Sequence, residues 1–184
     1  GAHGARASAG GGAAAGAMSG WRFCPACGKE RGSGPVDPTT PCPGCGYREV
    51  RYPGVGVAVI VRDGEGRVLL GRRAGGRRAG LWCIPCGRLE WGEEVRAAAI
   101  REFREETGLE VELAGVYDVH SNFHDPDRLT VGIWFVGRVT GGRLRPADGE
   151  LSELGWFDPA QPPELAFPTD ALVLRRLATE GQGQ

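Results

Sequence analysis

The chain has no long apolar run: no apolar stretch approaches the 18 residues that a membrane-spanning helix needs. It also has no amino-terminal segment in which positive charge precedes an apolar stretch, so we expect no secretion signal and a cytoplasmic protein. The formal net charge of −1 provides no basic field for non-specific nucleic-acid binding. These absences favour a small-molecule partner over a membrane or a nucleic acid.

Lysine and methionine are almost absent, with Lys29 and Met18 the only examples. Glycine is abundant, at 32 of 184 residues, and it is concentrated with alanine in residues 1–20. A segment of that composition cannot bury enough apolar surface to fold, so we predict a disordered tail and expect the native start at Met18. The remaining predicted parts are a cysteine-rich module at 21–51, a main domain at 52–179 and a short tail at 180–184.

Four of the six cysteines form two short repeats. Cys24-Pro25-Ala26-Cys27-Gly28 is echoed by Cys42-Pro43-Gly44-Cys45-Gly46, with fourteen residues between the pairs. In a chain without a secretion signal, this spacing indicates a tetrahedral Zn²⁺ site rather than disulfides. The glycine after each second cysteine permits a positive φ, which turns backbone amides toward the thiolates.

Two interpretations of the zinc module stay open. It is either a nucleic-acid-binding ribbon or a module that needs zinc because it is too small to fold alone. We favour the structural interpretation, because the few basic residues near the cysteines are offset by Glu30, Asp37 and Glu49.

The remaining two cysteines also form a CxxC pair, Cys83-Ile84-Pro85-Cys86. A redox role would need a thiol at a helix N-terminus, and no helix is predicted to begin there. We therefore expect Cys83 in the core and Cys86 as a small loop residue.

The apolar pattern predicts the element order β-β-β-α-β-β-β-α, an α/β layered fold with a mixed sheet. Strands are expected at 55–62, 67–71, 81–85, 111–120, 129–139 and 154–157, and helices at 93–107 and 168–178. The turn Asp63-Gly64-Glu65-Gly66 predicts that the first two strands form a hairpin. Gly108 follows the first helix, where a glycine commonly ends one.

Three carboxylates lie on one face of the first predicted helix. Glu105 and Glu106 flank Glu102 within an arc of roughly 100°, and this face continues an apolar stripe. The helix dipole disfavours anions in its last turn, so a merely solvated acidic face explains the pattern poorly. A hard cation such as Mg²⁺ or Mn²⁺, which takes oxygen ligands, explains it better. Arg101 can reach Glu105 at i+4 and orient it.

Residues 87–109 resemble the Nudix box, GX5EX7REUXEEXGU, where U is a bulky apolar residue. Its fixed positions correspond to Gly87, Glu93, Arg101, Glu102, Glu105, Glu106 and Gly108, with Phe103 and Leu109 in apolar positions. The resemblance covers about residues 52–179 and implies the Nudix α/β/α sandwich, preceded here by a small Cys₄ zinc ribbon. It implies Mg²⁺-dependent hydrolysis of a nucleoside diphosphate derivative by a metal-activated water, with Arg101 and the box glutamates as catalytic residues. The implied magnesium ligands are Gly87, Glu93, Glu102, Glu105 and Glu106.

Other segments narrow the implied substrate. A zinc ribbon before the box is similar to NADH pyrophosphatases, but their SQPWPFPxS-like motif is absent. Residues 119–130 instead resemble the SxxxRDPRGH loop of ADP-ribose pyrophosphatases, with His124-Asp125-Pro126 at the RDP position. ADP-ribose, or a related dinucleotide such as NADH or FAD, is therefore the expected substrate. His124 and His120 are candidate substrate contacts or plain solvated histidines.

Three residues outside the box's fixed positions complete the candidate site. Residues 150–157 resemble the ExxExxWF strand of the family, in which an acid serves as an extra metal ligand or general base. Glu153 is the first candidate for that role, and Glu150 is the second and a candidate substrate contact. Trp91, in the loop before the helix, is a candidate base-stacking residue. Each also has a plain interpretation, as a surface acid or a packing aromatic.

Three functions remain open at this level. The first is the pyrophosphohydrolase; the second is a hydrolase that removes damaged nucleoside triphosphates. The third is a nucleotide-sensing module without catalysis, in which the ribbon recruits a partner. The intact set of box carboxylates favours a hydrolase. A homodimer is the expected assembly by resemblance to zinc-ribbon relatives.

Overall fold

The computed structural model describes residues 21–32, 39–50, 52–125 and 128–181. The predicted tail at 1–20 and Pro126 of the predicted substrate loop lie outside the described residues. The chain divides into two compact units, and the division falls between Tyr52 and Pro53. No helix in the described parts is both long and apolar enough to cross a membrane.

The first unit contains two matching cysteine turns. In the first, Gly28 donates its backbone N–H to the Cys24 carbonyl at 2.8 Å. In the second, Gly46 donates in the same way to the Cys42 carbonyl, again at 2.8 Å. Gly28 and Gly46 adopt φ of 71° and 75°, as predicted for the glycine after each second cysteine.

The described residues of the second unit form seven strands, two helices and one 3₁₀ turn. The strands are β1 Gly54–Val61, β2 Val68–Arg73, β3 Trp82–Cys83, β4 Cys86–Arg88, β5 Leu109–Asn122, β6 Thr130–Gly142 and β7 Leu151–Phe157. The helices are α1 Val95–Thr107 and α2 Pro168–Gly181, and the 3₁₀ turn is Gly76–Arg78. The prediction of one strand at 81–85 was wrong, because two short strands flank Pro85 there, and Cys86 begins β4 rather than lying in a loop. Helix α2 continues through Glu180 and Gly181, two positions of the predicted tail; residues 182–184 are outside the described range.

The strands form two sheets. One is mixed and four-stranded, in the order β4-β1-β6-β5, with β1 and β6 parallel and the other two pairs antiparallel. The other is three-stranded and antiparallel, in the order β3-β2-β7. The predicted hairpin of the first two strands was wrong. Both edges of β1 are occupied by β4 and β6, so β2 joins the other sheet. Next to the turn there remain the bridge between Arg62 and Val68 and the hydrogen bond from Asp63 N–H to the Arg67 carbonyl at 3.0 Å.

Strand β1 separates two hydrophobic layers, because successive side chains of a strand point to opposite faces. Val57, Val59 and Val61 pack in a cluster with Ala98, Ala99 and Phe103 of α1. Ala58 and Ile60 pack in a second cluster with Val173, Leu174 and Leu177 of α2. The mixed sheet is therefore covered by one helix on each face, which gives the predicted α/β/α sandwich.

Helix α1 has well-defined ends. Glu94 caps its start by accepting hydrogen bonds from the backbone N–H groups of Arg96 and Ala97 at 2.9 and 3.0 Å. Gly108 ends the helix in the left-handed conformation, with φ of 70°, and donates to the Arg104 carbonyl at 2.8 Å. The observed start at Val95 is two residues later than predicted, since Glu94 serves as the cap. These ends place Glu102, Glu105 and Glu106 in the last two turns, beside β4.

Candidate active site

The cysteine cluster of the first unit is compact. The sulfur atoms of Cys24, Cys27, Cys42 and Cys45 all lie within 4.8 Å of one another. The Cys24–Cys45 and Cys27–Cys42 sulfur pairs are each 3.7 Å apart. A tetrahedron with Zn–S bonds of about 2.3 Å has an S–S edge of about 3.8 Å, so this spacing fits Zn²⁺.

One of these thiols is poised as a thiolate. The Gly44 backbone N–H donates to the Cys42 sulfur at 3.3 Å, and this hydrogen bond is the main reason that the pKa of Cys42 is lowered to about 6. Thiolates are the form that ligates zinc. The four predicted ligands are therefore brought together as a closed, sulfur-only site.

In the second unit, three carboxylates hold one segment of backbone, residues 84–88. The N–H of Ile84 donates to Asp170 Oδ2 at 3.1 Å, that of Cys86 to Glu106 Oε2 at 2.7 Å, and that of Arg88 to Glu102 Oε1 at 3.1 Å. Alternate residues of the segment thus donate to three acids from two helices. The backbone that joins the Cys83–Cys86 pair to the first box residues is thus held by acid side chains of both helices.

Gly87, in the middle of this segment, makes room for Glu102. A side-chain carbon at position 87 would overlap the Glu102 carboxylate. The structure thus gives a steric reason for glycine at the first box position.

Arg101 organises the acids of the box. Its Nε and Nη2 donate to the two oxygens of Glu93 at 2.8 and 2.9 Å, a bidentate pair. Its Nη1 lies 3.0 Å from Glu102 and donates to Glu105 at 3.1 Å, which confirms the predicted i+4 contact. Nη2 also donates to the Arg88 carbonyl at 3.2 Å. One guanidinium therefore joins the start of the box, the helix and β4.

Glu93 differs from the other predicted metal ligands, because both of its oxygens are occupied by Arg101. This pairing is the main reason that its pKa is lowered to about 2. The geometry makes Glu93 an orienting partner of Arg101 rather than a side chain open to a cation.

Glu106 is the acid with an open position. It is only 1% exposed, its Oε2 accepts from Cys86, and its Oε1 is buried without a hydrogen-bond partner among the described residues. Burial raises its pKa well above the ordinary value of 4.5. A buried carboxylate oxygen without a partner is costly unless a proton or a cation satisfies it. Its hard oxygen donor fits Mg²⁺ or Mn²⁺.

The box carboxylates do not form a closed ligand cluster like the cysteines. Glu102 points toward Arg88 and Arg101, Glu105 is half exposed beside Arg101, and Glu106 lies beneath Cys86. Within the described parts of the chain, the cysteines are the one group of three or more His, Cys, Asp or Glu side chains whose ligand atoms all lie within 4.8 Å. An open arrangement is typical of a site that keeps positions for water and substrate.

A cavity of about 980 Å³ lies beside this site. Its wall includes five residues singled out from the sequence: Cys86, Gly87, Glu102, His124 and Glu150. Burial, followed by nearby Arg78, lowers the pKa of His124, whose ring centroid is 5.4 Å from that of Phe167.

Other candidates lie away from this wall. Glu153 pairs with Arg72 at 3.6 Å, and Trp91 is fully exposed; neither is among the described residues that line the cavity. His120 lies outside the wall too, with its Nε2 3.3 Å from Asp118 and its ring edge-on to Trp134. Cys83 is fully buried, as predicted.

The sequence analysis missed Asp170, which also lines the cavity. This residue is 2% exposed and accepts hydrogen bonds from Ile84 N–H and Trp134 Nε1, each at 3.1 Å. Burial raises its pKa to about 7. A signal was present: Asp170 shares a helical stripe, at i, i+3 and i+4, with the buried Val173 and Leu174.

The comparisons with known proteins agree with this fold and site. The family model for the NUDIX domain matches residues 52–177, which is more than half of the chain. The chain therefore belongs to the Nudix family, and its relatives are hydrolases by name.

Three curated relatives of similar sequence identity are named for different hydrolase activities. An RNA pyrophosphohydrolase of Novosphingobium aromaticivorans is 33% identical in an alignment of 143 positions that covers 67% of this chain and 89% of the relative. An ADP-ribose pyrophosphatase of Methanocaldococcus jannaschii is 33% identical, covering 69% of this chain and 75% of the relative. An NAD-capped RNA hydrolase NudC of Chromobacterium violaceum is also 33% identical, but the match covers 46% of that protein.

Solved structures give the same family. A NUDIX hydrolase from Nitrosomonas europaea aligns with a TM-score of 0.71 at 29% identity, over 89% of this chain and 94% of that one. The α/β/α sandwich described above is thus the Nudix fold, and the chain is a Nudix pyrophosphohydrolase.

Proposed function

We propose that this protein uses Mg²⁺ or Mn²⁺ to hydrolyse the pyrophosphate bond of a nucleoside diphosphate derivative, with ADP-ribose or a related dinucleotide such as NADH or FAD as substrate. The observation that carries the proposal is the buried Glu106 oxygen without a partner among the described residues. Glu106 accepts from Cys86, and Cys86 and Glu102 line a cavity large enough for a dinucleotide. The names of two relatives, an ADP-ribose pyrophosphatase and an NAD-capped RNA hydrolase, support this substrate class.

Glu102, Glu105, Glu106 and the Gly87 carbonyl would hold the cation. When bound, a divalent cation neutralises phosphoryl oxygens and lowers the pKa of a bound water. Arg101 keeps the Glu102 and Glu105 carboxylates close to the helix end, and Glu93 keeps Arg101 in place through the bidentate pair. These two residues therefore act as positioning residues.

Two acids remain candidates for the proton acceptor. Glu150 is the one to test first, because it lines the cavity together with Glu102. Glu153 is the second, since it pairs with Arg72 on the neighbouring strand β2 and is not among the described residues that line the cavity. His124 and Glu150 would contact the substrate from the same wall.

The cysteine module would hold one structural Zn²⁺. Its support is the sulfur spacing of 3.7 Å, which fits a tetrahedral site with all four positions filled by protein. A site filled in this way leaves no position for substrate, so zinc would stabilise the module and take no part in hydrolysis.

Two further substrate classes have support of their own. A putative 8-oxo-dGTP diphosphatase of Bacillus subtilis is 34% identical over 61% of this chain. Its name supports the alternative function, hydrolysis of damaged nucleoside triphosphates. The names of the RNA pyrophosphohydrolase and NudC relatives support the end of an RNA as a further substrate class. The net charge of the chain had favoured a small molecule over a nucleic acid.

The decisive experiment is a substrate panel with product identification by mass spectrometry. ADP-ribose, NADH, FAD, nucleoside triphosphates and a 5′-triphosphate RNA are incubated with protein that was dialysed and then given Mg²⁺ or Mn²⁺. We expect AMP as a product from the dinucleotides only when the cation is present. Glu105→Gln should lower turnover by about a hundredfold, because it removes one anionic ligand.

The matched control is Glu112→Gln, which removes an exposed glutamate of β5 that pairs with Arg138. Unchanged turnover in Glu105→Gln would contradict the proposed site. Hydrolysis of the triphosphates or the RNA alone would contradict the proposed substrate class. Tight binding without any product would favour the sensing module instead.

A further inference from the structure

The arginines of this protein differ in their partners. Several outside the cavity pair with a carboxylate: Arg67 with Asp63, Arg72 with Glu153, Arg101 with Glu93, Arg138 with Glu112 and Arg176 with Glu180. On the cavity wall, Arg73, Arg77, Arg78, Arg88 and Arg128 form no ion pair with any described carboxylate. Positive charge is thus left without a protein partner on the concave surface.

Three of these arginines are close together in the chain and in space. Arg73 ends β2, and Arg77 and Arg78 belong to the 3₁₀ turn Gly76–Arg78. The guanidinium carbons of Arg73 and Arg78 lie 5.5 and 5.2 Å from the centre of the Phe167 ring. Two cations therefore lie against the same aromatic ring.

This arrangement holds the guanidinium groups in place. The Arg78 Nη1 donates to the Ala166 carbonyl at 2.7 Å, and the Phe167 ring supports Arg73 and Arg78 through cation–π contacts. Guanidinium groups that lie over a ring keep their edge N–H donors for a ligand, and their planar fork matches the oxygens of a phosphate. Ordering them in the free protein lowers the entropy cost of binding.

The box cannot account for these charges. Under the proposed function, the charge of the hydrolysed pyrophosphate is neutralised by cations on the box carboxylates, which lie on α1. Arg73 ends β2 of the three-stranded sheet, and Arg77 and Arg78 belong to the 3₁₀ turn that follows it, so none of the three is on α1. They add positive charge beyond what a nucleoside diphosphate derivative with two phosphates requires.

We propose that Arg73, Arg77 and Arg78 form an anion subsite that binds a phosphate group of the substrate other than the pyrophosphate that is hydrolysed. The inference rests on the proposed function and adds a preference within its substrate class: nucleoside diphosphate derivatives with a third phosphate on the nucleoside should bind more tightly than ADP-ribose, NADH or FAD, which lack one. That phosphate is either a monoester on a ribose hydroxyl or the first diester of an attached nucleotide chain.

The test measures binding of product-like ligands, because binding needs no turnover. Isothermal titration compares AMP with adenosine 2′,5′-bisphosphate, which adds a monoester, and with the dinucleotide pApA, which adds a diester. We expect at least one of the two to bind tenfold or more tightly than AMP, and the one that does so identifies the source of the phosphate. The double variant Arg73→Gln/Arg77→Gln should bind all three ligands within about twofold of one another.

The matched control is Arg72→Gln. Arg72 neighbours Arg73 in β2, but it pairs with Glu153 and donates to the Gly80 carbonyl, away from the cavity wall. This variant should keep the wild-type preference, and Arg77→Gln alone should lose part of it. Thermal melting of each variant checks that it is folded.

Equal affinity of the wild type for all three ligands would overturn the proposal, as would a preference that survives in the double variant. Hydrolysis of NADH and NADPH is measured in parallel. A wild type that prefers the third phosphate in binding yet cleaves neither dinucleotide would contradict the proposed function and leave the subsite standing. Cleavage of NADH with equal binding of the three ligands would contradict the subsite and leave the proposed function standing.

Discussion

Glu106 and Asp170 are both buried carboxylates, one on each helix, and they hold neighbouring parts of the same backbone segment. Each accepts a backbone N–H from residues 84–88, and burial raises both pKa values. The difference lies in the second oxygen. That of Asp170 accepts from Trp134 Nε1, whereas that of Glu106 has no partner among the described residues.

The comparison separates a structural acid from a functional one. Burial and a raised pKa are common to both and do not distinguish them. An acid whose two oxygens both accept hydrogen bonds within the protein needs no further ligand, and its role is structural. An acid with one buried oxygen left over costs stability unless something outside the chain binds it. The unpaired oxygen, rather than the burial, marks the site.

The largest expected effect is on catalysis by Glu106→Gln. The amide oxygen can still accept from Cys86, but the negative charge toward the cation is lost. We expect kcat to fall by about a thousandfold, equivalent to roughly 4 kcal/mol. The free energy of unfolding near pH 7 should not fall, because a buried carboxylate without a partner is removed. Turnover assays and urea unfolding measure the two effects. If Glu106→Gln kept its activity or lost much of its stability, Glu106 would be a structural acid like Asp170.

The second prediction concerns pH and Asp170. A pKa raised from 3.8 to about 7 means that the native state holds a proton more tightly than the unfolded chain. The contribution of Asp170 to stability therefore falls as the pH rises from about 4 to about 7, by roughly 4 kcal/mol at most. Asp170→Asn removes that titration, so its stability should decline less over this range.

The same variant should also be less stable at pH 5. At this pH Asp170 is a protonated carboxyl group, but both of its oxygens keep lone pairs that can accept. Asparagine has one acceptor oxygen and an NH₂ donor in place of the other, so either Ile84 N–H or Trp134 Nε1 loses its partner, at a cost of about 1–3 kcal/mol. Urea unfolding at pH 5, 6 and 7 tests both statements. Parallel pH profiles for wild type and Asp170→Asn would show that Asp170 does not titrate in this range.

These two acids also show how far a sequence can be interpreted. Glu102, Glu105 and Glu106 were predictable because a helix places residues three and four apart on one face. The end of α1 at Gly108 and the cysteine cluster were predictable for a similar reason, since a terminating glycine and CxxC pairs are local patterns. The start of α1 was predicted two residues too early, because Glu94 serves as the cap. Membership of the Nudix family follows from such local spacing, and the family match confirms it.

Asp170 was not predictable in the same way, because its partners lie 86 and 36 residues away in the sequence. The wrong β1–β2 hairpin has a similar cause. The turn at 63–66 was recognised, but a turn does not reveal that both edges of β1 belong to β4 and β6. The arginine cluster around Phe167 likewise joins two distant segments, and Phe167 lies about 90 residues after Arg78.

A smaller effect is expected from Glu93→Gln. This substitution weakens the bidentate pair with Arg101, whose other contacts reach Glu102 and Glu105. We expect kcat to fall by about tenfold, or roughly 1.4 kcal/mol, with a smaller change in KM, because the ligands are disordered rather than removed. Glu90→Gln, an exposed neighbour in the same loop, is the control. A loss as large as that of Glu106→Gln would show that Glu93 ligates the cation directly.

The smallest effect on turnover is expected from Cys24→Ser, although it should disturb its own unit strongly. Structural zinc supplies on the order of 10 kcal/mol to folding in isolated zinc-finger peptides. Losing one of the four thiolates should therefore reduce the zinc content below one ion per chain. The first unit should then melt at a lower temperature. Because residues 56–170 supply the whole described cavity wall, kcat with Mg²⁺ should stay within about twofold of wild type. Metal analysis after dialysis, thermal melting and turnover are measured on the same samples. Cys83→Ala is the control that keeps the cluster and its zinc. If Cys24→Ser kept its zinc and melting temperature but lost turnover, the cysteine module would have to contact substrate, and its structural role would be wrong.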